Sequence, residues 1–533
     1  MTLGMLAAAL PGIFLSPYGI NPFDEPYQII NALDWENAVY SPLSSWLANK
    51  FGHFVGWKYI SFRYLALCLN FIGIFIPSAY ALSVSGRKKL VAISAIVTTL
   101  LALSFKTMTH YYGWDSWTIC CLPICIVLFI SLLHKFTWMK LIGLGIAAAL
   151  TSLMRIPNIS ILLFSVIVLA WSDVDRRLCI YRIMVLVSVF IVSSFIVLTL
   201  IYGNITAYFD AFSTNKIEDH SLVQIFSPLF VRFLLAVMYA CFLGLGDMYL
   251  KFIDRFKPVR KLWLYLILII LFTASLLPSR GHSFGMGPAF CLGLILLSLF
   301  LLIRKSRLQG NTRLFLDLSV IFLFSMAAGI GSNGGYTKAL VWPLFPLIIW
   351  LLGYTFRGSL KKLFVCCAVS YGVYSAIGII NYNFLDERLS RLSYTFGEED
   401  MVLYGMHTNP ERGEFIMDIY RDSKPFLTNG YTPIVLKQGN DYIYEYIMIR
   451  PNKYQRHTFS NWRAFWDKKY VESIQREIKT SREPVFVLYR QWIDPQDITP
   501  MLKMLQENTV CVVNKPGYSI WIKDPALPAV APR

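Results

Sequence analysis

The chain has 533 residues, of which 56% are hydrophobic and only 15% are charged, and its mean hydropathy is +0.52. Soluble domains carry about 25% charged residues, so this composition excludes an ordinary soluble enzyme. Many windows of roughly 20 apolar residues are long enough to cross a hydrocarbon core about 30 Å thick. The first apolar run lacks the basic start and the cleavage site of a signal peptide, and many further runs follow it. We therefore predict a multi-span membrane protein.

The net charge of +17 lies in the apolar part of the chain. From Phe384 to the C-terminus there are 20 Lys and Arg against 19 Asp and Glu, so the preceding 383 residues hold 29 basic and 13 acidic residues. Short basic loops on the cytoplasmic side account for this excess. Nucleic-acid binding is disfavoured, because the polar tail has no basic stripe with interleaved aromatic residues. The ten cysteines fall mostly inside apolar runs, which indicates buried thiols and neither a disulfide framework nor a metal site.

The apolar runs predict thirteen membrane spans in chain order. The first covers residues 1–20, and the polar interval after it contains two amphipathic helices, Tyr27–Val39 and Pro42–Val55, suited to lie flat in the interface. The remaining twelve spans are predicted at 60–84, 90–105, 117–133, 138–153, 158–171, 183–202, 228–249, 262–277, 288–303, 314–330, 339–354 and 363–380.

The loops between these spans alternate between basic and sparsely charged. The basic loops include Arg87-Lys88-Lys89, Arg176-Arg177 and Arg304-Lys305, whereas the alternate loops carry few cations, with Lys106, Arg155, Lys216, Arg280 and Lys338 in separate loops. The positive-inside rule places the basic loops and the N-terminus in the cytoplasm. The interval after the first span, and everything after residue 380, is then predicted to lie outside.

The tail from residue 381 predicts a small α/β domain on the outer face. Strand-like stretches occur at Thr432–Leu436, Tyr442–Ile449, Pro484–Tyr489, Val510–Val513 and Tyr518–Ile522, and helical patterns occur at Phe459–Thr480 and Pro495–Glu507. No phosphate loop, zinc spacing or nucleophile elbow appears in this domain. We predict two domains, 1–380 in the membrane and 381–533 outside.

Several sparse outer loops carry polar groups that a plain connection does not need. The candidates are Asp24 and Glu25 after the first span, His110 and Asp115 before the fourth, Arg155 after the fifth, Arg280, and Lys338 after the glycine-rich run 331–335. Ionisable groups near membrane depth are costly and often functional. Cations from several loops suit the phosphate of a lipid-borne substrate, and a carboxylate suits proton transfer from an incoming hydroxyl or amine.

Each of these residues also fits a purely structural role. Asp24 and Glu25 fit a helix cap with an acidic first turn, and Asp115 fits a cap for the fourth span. Arg155, Arg280 and Lys338 fit cations that snorkel to the interface. Only the joint pattern favours a functional site.

Six short motifs in the membrane part of the chain resemble those of one known enzyme family. Phe23-Asp24-Glu25-Pro26-Tyr27 resembles the Asp-Glu motif after span one, and Tyr40-Ser41-Pro42-Leu43 is similar to a His-Pro-Pro-Leu motif, with Ser41 in place of the histidine. Four more segments resemble family elements, namely Phe62-Arg63-Tyr64-Leu65, Gly113-Trp114-Asp115, Met154-Arg155-Ile156-Pro157 and the stretch Tyr336–Pro346. Together these motifs resemble those of the GT-C glycosyltransferases, in particular the protein O-mannosyltransferase and lipid A aminoarabinose transferase group. The resemblance covers residues 1–380.

The resemblance implies an inverting transfer of a sugar from a polyprenyl-phosphate donor on the outer face of the membrane. It implies Asp24 as the catalytic base with Glu25 in support. Asp115 is implied on the acceptor side, and the implied phosphate contacts are Arg63, Arg155 and Lys338, with Tyr336 beside Lys338. A lipid, glycan or protein is the expected acceptor. No cofactor is implied, and a divalent cation is compatible with the pattern but not indicated.

Two other classes of membrane protein fit the composition. A transporter or lipid flippase carries charges near the midplane and often internal repeats, whereas the ionisable residues here lie at loop edges. A polysaccharide polymerase or ligase uses large central outer loops rich in Arg or His, and the central interval 203–227 contains only Lys216 and His220 as basic residues. The favoured prediction is a multi-pass glycosyltransferase of the plasma (inner) membrane.

Overall fold

The structure is a computed structural model of the chain. The residues that it describes are 1–20, 24–86, 88–104, 112–172, 175–214, 222–253, 255–276, 292–300, 308–327, 388–437, 442–449, 468–490 and 499–523, with isolated residues between 344 and 373. The chain forms two compact units. The first contains Met1–Ser16, Trp35–Ala48 and Arg63–Asn381, and the second contains Pro17–Asp34, Asn49–Phe62 and Tyr382–Arg533.

Helices dominate the chain up to residue 327. They are α1 Thr2–Leu15, α2 Asp24–Leu33, α3 Pro42–Val55, α4 Tyr59–Val84, α5 Lys88–Ser104, α6 Trp114–His134, α7 Trp138–Met154, α8 Ser160–Ser172, α9 Arg176–Tyr202, α10 Ile205–Thr214, α11 Leu222–Ile253, α12 Pro258–Leu276 and α13 Leu308–Ala327. Short 3-10 helices cover Trp35–Asn37 and Ile156–Ile159. Each predicted span from the first to 262–277, and the span at 314–330, overlaps one of these helices, and the described residues 292–300 of the span at 288–303 are helical. Most of the spans at 339–354 and 363–380 lies outside the described residues, so the count of thirteen stays a prediction.

Four helical segments within the described ranges are long and apolar enough to cross a membrane: Tyr59–Val84, Asp115–His134, Arg176–Tyr202 and Phe233–Ile253. The clearest case is α9, whose most apolar 18-residue window has a mean hydropathy of 2.8 although only 17% of that window is buried inside the protein. Its exposed residues include Ile191, Phe195 and Leu200. A helix that is apolar all round and largely uncovered is stable in lipid and not in water. The chain is therefore a membrane protein.

The largest apolar core of the first unit includes buried residues of α6, α7, α8, α9, α11, α12 and α13. Glycines allow two of the closest helix crossings. A Cβ at Gly73 of α4 would overlap the backbone carbonyl of Ile119 in α6, and a Cβ at Gly145 of α7 would lie 2.8 Å from Val189 of α9. Small residues at such crossings are typical of helix packing in membranes.

The second unit contains a four-stranded sheet. Its strands are β3 Thr432–Lys437, β4 Val485–Arg490, β5 Val510–Lys515 and β6 Tyr518–Lys523, in the order β3-β4-β6-β5. A two-stranded ladder joins β1 Tyr394–Thr395 to β2 His407–Thr408. The helices of this unit after residue 388 are α14 Pro410–Thr428, α15 Ile443–Ile447, α16 Lys468–Thr480 and α17 Pro500–Asn508.

The sheet agrees with most of the strands predicted in the tail. Strands β3 and β4 are parallel, and β6 runs antiparallel to both β4 and β5. All six residues of β4 are buried, as expected for a central strand. The core contains Ile434 and Val487 from the sheet with Ile474 and Met504 from α16 and α17. The C-terminal region therefore has the predicted α/β composition.

The strand predicted at Tyr442–Ile449 is wrong. Its central residues form the short helix α15, in which every residue from Ile443 to Ile447 is buried. A fully buried run has no polar face, so the sequence period cannot separate a strand from a helix. The tyrosine and isoleucine content favoured a strand, but packing against α2 stabilises the helix.

Candidate active site

Two predicted site residues of the first unit meet directly. Asp115 lies in the first turn of α6, and Arg155 follows the last residue of α7 with an extended backbone. Nη1 of Arg155 donates to Oδ1 of Asp115 at 3.1 Å. The arginine side chain is 8% exposed and the aspartate side chain is 22% exposed. The structure therefore brings together a carboxylate and a guanidinium from two different loops.

Asp115 is not the cap of α6. The N-cap residue is Gly113, whose backbone N–H donates to the Ser116 hydroxyl at 3.0 Å. An acidic side chain in a first turn is stabilised by the helix dipole. The Asp115 carboxylate gains this stabilisation and also accepts from Arg155, so the capping role suggested by the sequence belongs to its neighbours.

The backbone on both sides of Arg155 is held by the segment that begins with Tyr40. The Ile156 N–H donates to the Tyr40 carbonyl at 2.9 Å, and the Ser44 hydroxyl donates to the Met154 carbonyl at 2.9 Å. Tyr40-Ser41-Pro42-Leu43 is one of the motifs that resemble the family. In this structure the segment from Tyr40 to Ser44 holds the backbone next to Arg155, a role that the sequence does not indicate.

Asp24 and Glu25 begin α2 in the second unit. The side chain of Asp24 is outside the described part of the structure. Glu25 is completely buried. Burial raises the pKa of the Tyr446 phenol, and the negative charge of Glu25 raises it further. The carboxylate of Glu25 thus lies within electrostatic reach of Tyr446.

The segment that leads into α2 is fixed by backbone pairing. The His407 N–H donates to the Pro17 carbonyl and the Gly19 N–H donates to the His407 carbonyl, both at 2.8 Å. The rings of Tyr18 and His407 stack with centroids 4.4 Å apart. Arg412 donates to the Ile20 carbonyl at 3.3 Å. The approach to Asp24 is therefore ordered by residues almost 400 positions later in the chain.

Packing then holds α2 itself. Its partner is α15, and the rings of Tyr27 and Tyr442 lie 4.7 Å apart. The Asn49 side chain donates to the Ala32 carbonyl near the end of α2 at 3.0 Å. The helix predicted at Tyr27–Val39 is thus displaced toward Asp24 and ends at Leu33, whereas the helix predicted at Pro42–Val55 has the same bounds in the structure.

Arg63 has a structural partner in the first unit. It is completely buried in α4, and its Nη1 donates at 2.7 Å to the carbonyl of Ser16, the C-cap residue of α1. A cation at the end of a helix stabilises carbonyls that lack intrahelical partners. This contact accounts for Arg63 without a substrate, and its role as a phosphate contact stays a prediction.

Four further predicted site residues lie outside the described residues. They are His110, Arg280, Tyr336 and Lys338. Within the described ranges, no group of three or more His, Cys, Asp or Glu side chains is placed to hold a metal ion.

No protein-family model matches the sequence, and no curated protein matches it. Among solved structures, the chain is similar to ArnT from Cupriavidus metallidurans. The apo crystal structure is 12% identical, with 98% of this chain and 97% of that chain covered, at a TM-score of 0.48. The crystal structure bound to undecaprenyl phosphate is 12% identical, with 98% of both chains covered, at a TM-score of 0.43. ArnT is a lipid A aminoarabinose transferase.

Proposed function

We propose that this protein is a membrane glycosyltransferase of GT-C type that moves a sugar from a polyprenyl-phosphate donor to a lipid, glycan or protein acceptor. The transfer takes place on the outer side of the plasma membrane. Asp24 is the proposed catalytic base, and Glu25 maintains the geometry around it. Asp115 lies on the acceptor side, and Arg155 contributes to the cationic site for the phosphate.

The observation that carries this proposal is the pairing of Asp115 with Arg155. Both residues belong to short motifs in separate loops, and their charged atoms lie 3.1 Å apart. Ionisable groups near membrane depth are costly and often functional, and here two of them from different loops form one pair. The planar fork of an arginine also suits phosphate oxygens.

The chemistry follows from these groups. An acceptor hydroxyl or amine attacks the anomeric carbon of the donor sugar, and its proton passes to the Asp24 carboxylate. The bond between the anomeric carbon and the phosphate oxygen breaks, and its electron pair leaves with the polyprenyl phosphate. Cations stabilise the negative charge that develops on this leaving group. The attack inverts the configuration at the anomeric carbon.

The residues outside the described ranges have proposed roles as well. Arg280 and Lys338 complete the cationic site for the phosphate, with Tyr336 beside Lys338. His110 contributes to the acceptor side with Asp115. Arg63 is the least favoured of the phosphate contacts, because the end of α1 already accounts for it.

Mass spectrometry of the cell envelope, with and without this protein, identifies the sugar and the acceptor. Purified protein in lipid nanodiscs is then tested with that donor. We expect Asp24→Asn to slow transfer by about 10²–10⁴-fold, because an amide cannot accept the proton. The matched control is Glu36→Gln, which removes an exposed carboxylate in the same interval. Full transfer by Asp24→Asn contradicts the assignment of the base, and an unchanged envelope contradicts the proposed function.

A further inference from the structure

The end of α7 is completed by side chains and not by its own backbone. The last four carbonyls of a helix, here Thr151 to Met154, lack intrahelical partners. Nδ2 of Asn158 donates to the Thr151 carbonyl at 2.9 Å, and the Ser44 hydroxyl donates to the Met154 carbonyl. Asn158 lies in the 3-10 turn after α7 and is completely buried.

The same amide of Asn158 reaches a second helix. Nδ2 also donates to the hydroxyl of Thr118 in α6 at 3.0 Å. Thr118 is completely buried and stands three residues after Asp115. Asn158 stands three residues after Arg155, and its N–H donates to the Arg155 carbonyl at 2.9 Å.

The turn after α7 is therefore connected to α6 by two parallel contacts, Arg155 to Asp115 and Asn158 to Thr118. Residues i and i+3 share one face of an α-helix, and they eclipse each other in a 3-10 turn. The spacing of three residues on both elements aligns the two contacts. One is a charged pair with part of its carboxylate exposed, and the other is a buried neutral hydrogen bond.

We propose that Asn158 is a positioning residue that holds the Arg155 guanidinium against Asp115 by tying the turn after α7 to Thr118 of α6. The arginine side chain has several rotatable bonds, so its direction depends on where the turn is held. The amide fixes the turn at both the Thr151 carbonyl and the Thr118 hydroxyl. The inference rests on the proposed function, since a catalytic effect of Asn158 requires that Arg155 takes part in sugar transfer.

A purely structural role for Asn158 makes a different prediction. If Asn158 only caps α7, its loss destabilises the helix but leaves the Arg155–Asp115 pair in place. A positioning residue moves the pair and affects transfer only through it. The two roles are separated by the geometry of the pair and by the dependence of each substitution on Arg155.

The geometric test is a cryo-EM structure of the Asn158→Leu protein in nanodiscs. Leucine has the same number and branching of side-chain heavy atoms as asparagine but donates no hydrogen bond. We expect the contact between Arg155 Nη1 and Asp115 Oδ1 to be lost. Thr118→Val, a smaller perturbation, provides the same test should Asn158→Leu fail to fold. A pair that stays at its original distance in the folded variant overturns the proposal, whatever the protein catalyses.

The kinetic test uses the sugar donor and acceptor found for the wild-type protein. Losing the Asn158–Thr118 hydrogen bond should lower kcat/KM about tenfold in both Asn158→Leu and Thr118→Val. Thr118→Ser keeps the acceptor oxygen and should restore activity. In an Arg155→Met background, Asn158→Leu should cause no further loss, because Asn158 acts through Arg155. If Asn158→Leu lowers kcat/KM by the same factor in the Arg155→Met background as in the wild-type protein, the two residues act independently and the proposal is wrong.

The control is Thr99→Val in α5. Thr99 is also completely buried, and its hydroxyl donates only within its own helix, to the Ala95 carbonyl at 2.8 Å. We expect wild-type kcat/KM from this variant. If the wild-type protein transfers no sugar, the proposed function fails, and the geometric test still decides the position of Arg155.

Discussion

Arg155 and Asp115 are 40 residues apart in the chain and form an ion pair of 3.1 Å between the end of α7 and the first turn of α6. The guanidinium is nearly buried, whereas the carboxylate keeps part of its surface. Removal of one partner from such a pair leaves an uncompensated charge in a region with little water, which costs more than the loss of the whole pair.

We expect Arg155→Met to lower the free energy of unfolding by about 2 kcal/mol, because the Asp115 carboxylate loses its partner. The double variant Arg155→Met/Asp115→Leu should recover part of this loss, since no charge is then left unpaired. Denaturant unfolding in detergent micelles measures both. The control is Lys468→Met, which removes one partner of an exposed pair with Glu472 at 3.8 Å and should change little. Equal losses in the single and double variants contradict this account of the pair.

The crossing of α4 and α6 makes a second prediction, through Gly73. Alanine at Gly73 would push its Cβ into the Ile119 carbonyl, and a helix backbone cannot move aside cheaply. We expect Gly73→Ala to lower the thermal unfolding midpoint in detergent. Gly143→Ala in α7 is the matched control, because its Cβ would lie 4.0 Å from Leu128. At Gly143 the better helix propensity of alanine should raise the free energy of unfolding by up to about 1 kcal/mol. A Gly73→Ala protein as stable as Gly143→Ala rules out the close crossing.

The sequence predicts helices well where apolar runs are long. Helix α3 has the predicted bounds Pro42–Val55, because an amphipathic segment that begins at a proline and ends before Gly56 carries its own start, period and end in the sequence. The membrane class follows from composition alone. The orientation in the membrane is inferred from the charge of the loops and stays a prediction. The strand predicted at Tyr442–Ile449 is wrong, because the packing that makes it helical comes from α2, more than 400 residues earlier.

The candidate site is predicted in part. The sequence identifies Asp115 and Arg155 as candidates because each is a charged residue at the edge of a predicted span. Their pairing depends on how α6 and α7 pack, which the sequence pattern does not show. Asn158 and Ser44 have no such signal, because a buried asparagine or serine is recognised only by its partners. The backbone pairing of Pro17 and Gly19 with His407 uses main-chain groups, which every residue has, so no sequence pattern marks it.

His407 gives a third prediction, on pH. Burial lowers the pKa of its imidazole below the ordinary value of 6.5. The unfolded chain therefore takes up a proton at a higher pH than the native protein. Stability from the neutral imidazole is fully present above pH 6.5 and is lost as the pH falls through the native pKa. His407→Phe can still stack on Tyr18 but does not titrate. We expect the wild-type unfolding midpoint to fall more than that of His407→Phe between pH 7.5 and 5. Parallel pH profiles of the two proteins contradict the assignment to His407.

The two adjacent carboxylates of α2 should differ in their effect on transfer. Glu25 is completely buried beside Tyr446, so its carboxylate is placed to orient neighbouring groups. We expect Asp24→Asn to lower kcat by about 10²–10⁴-fold, as the loss of a general base does. Glu25→Gln keeps the size of the side chain and removes only its charge, so its effect should be about tenfold and should include a higher KM for the sugar donor. Steady-state kinetics in nanodiscs measure both constants. If Glu25→Gln lowers kcat as far as Asp24→Asn, with KM unchanged, the proton acceptor is Glu25 and the proposed roles of the two residues must be exchanged.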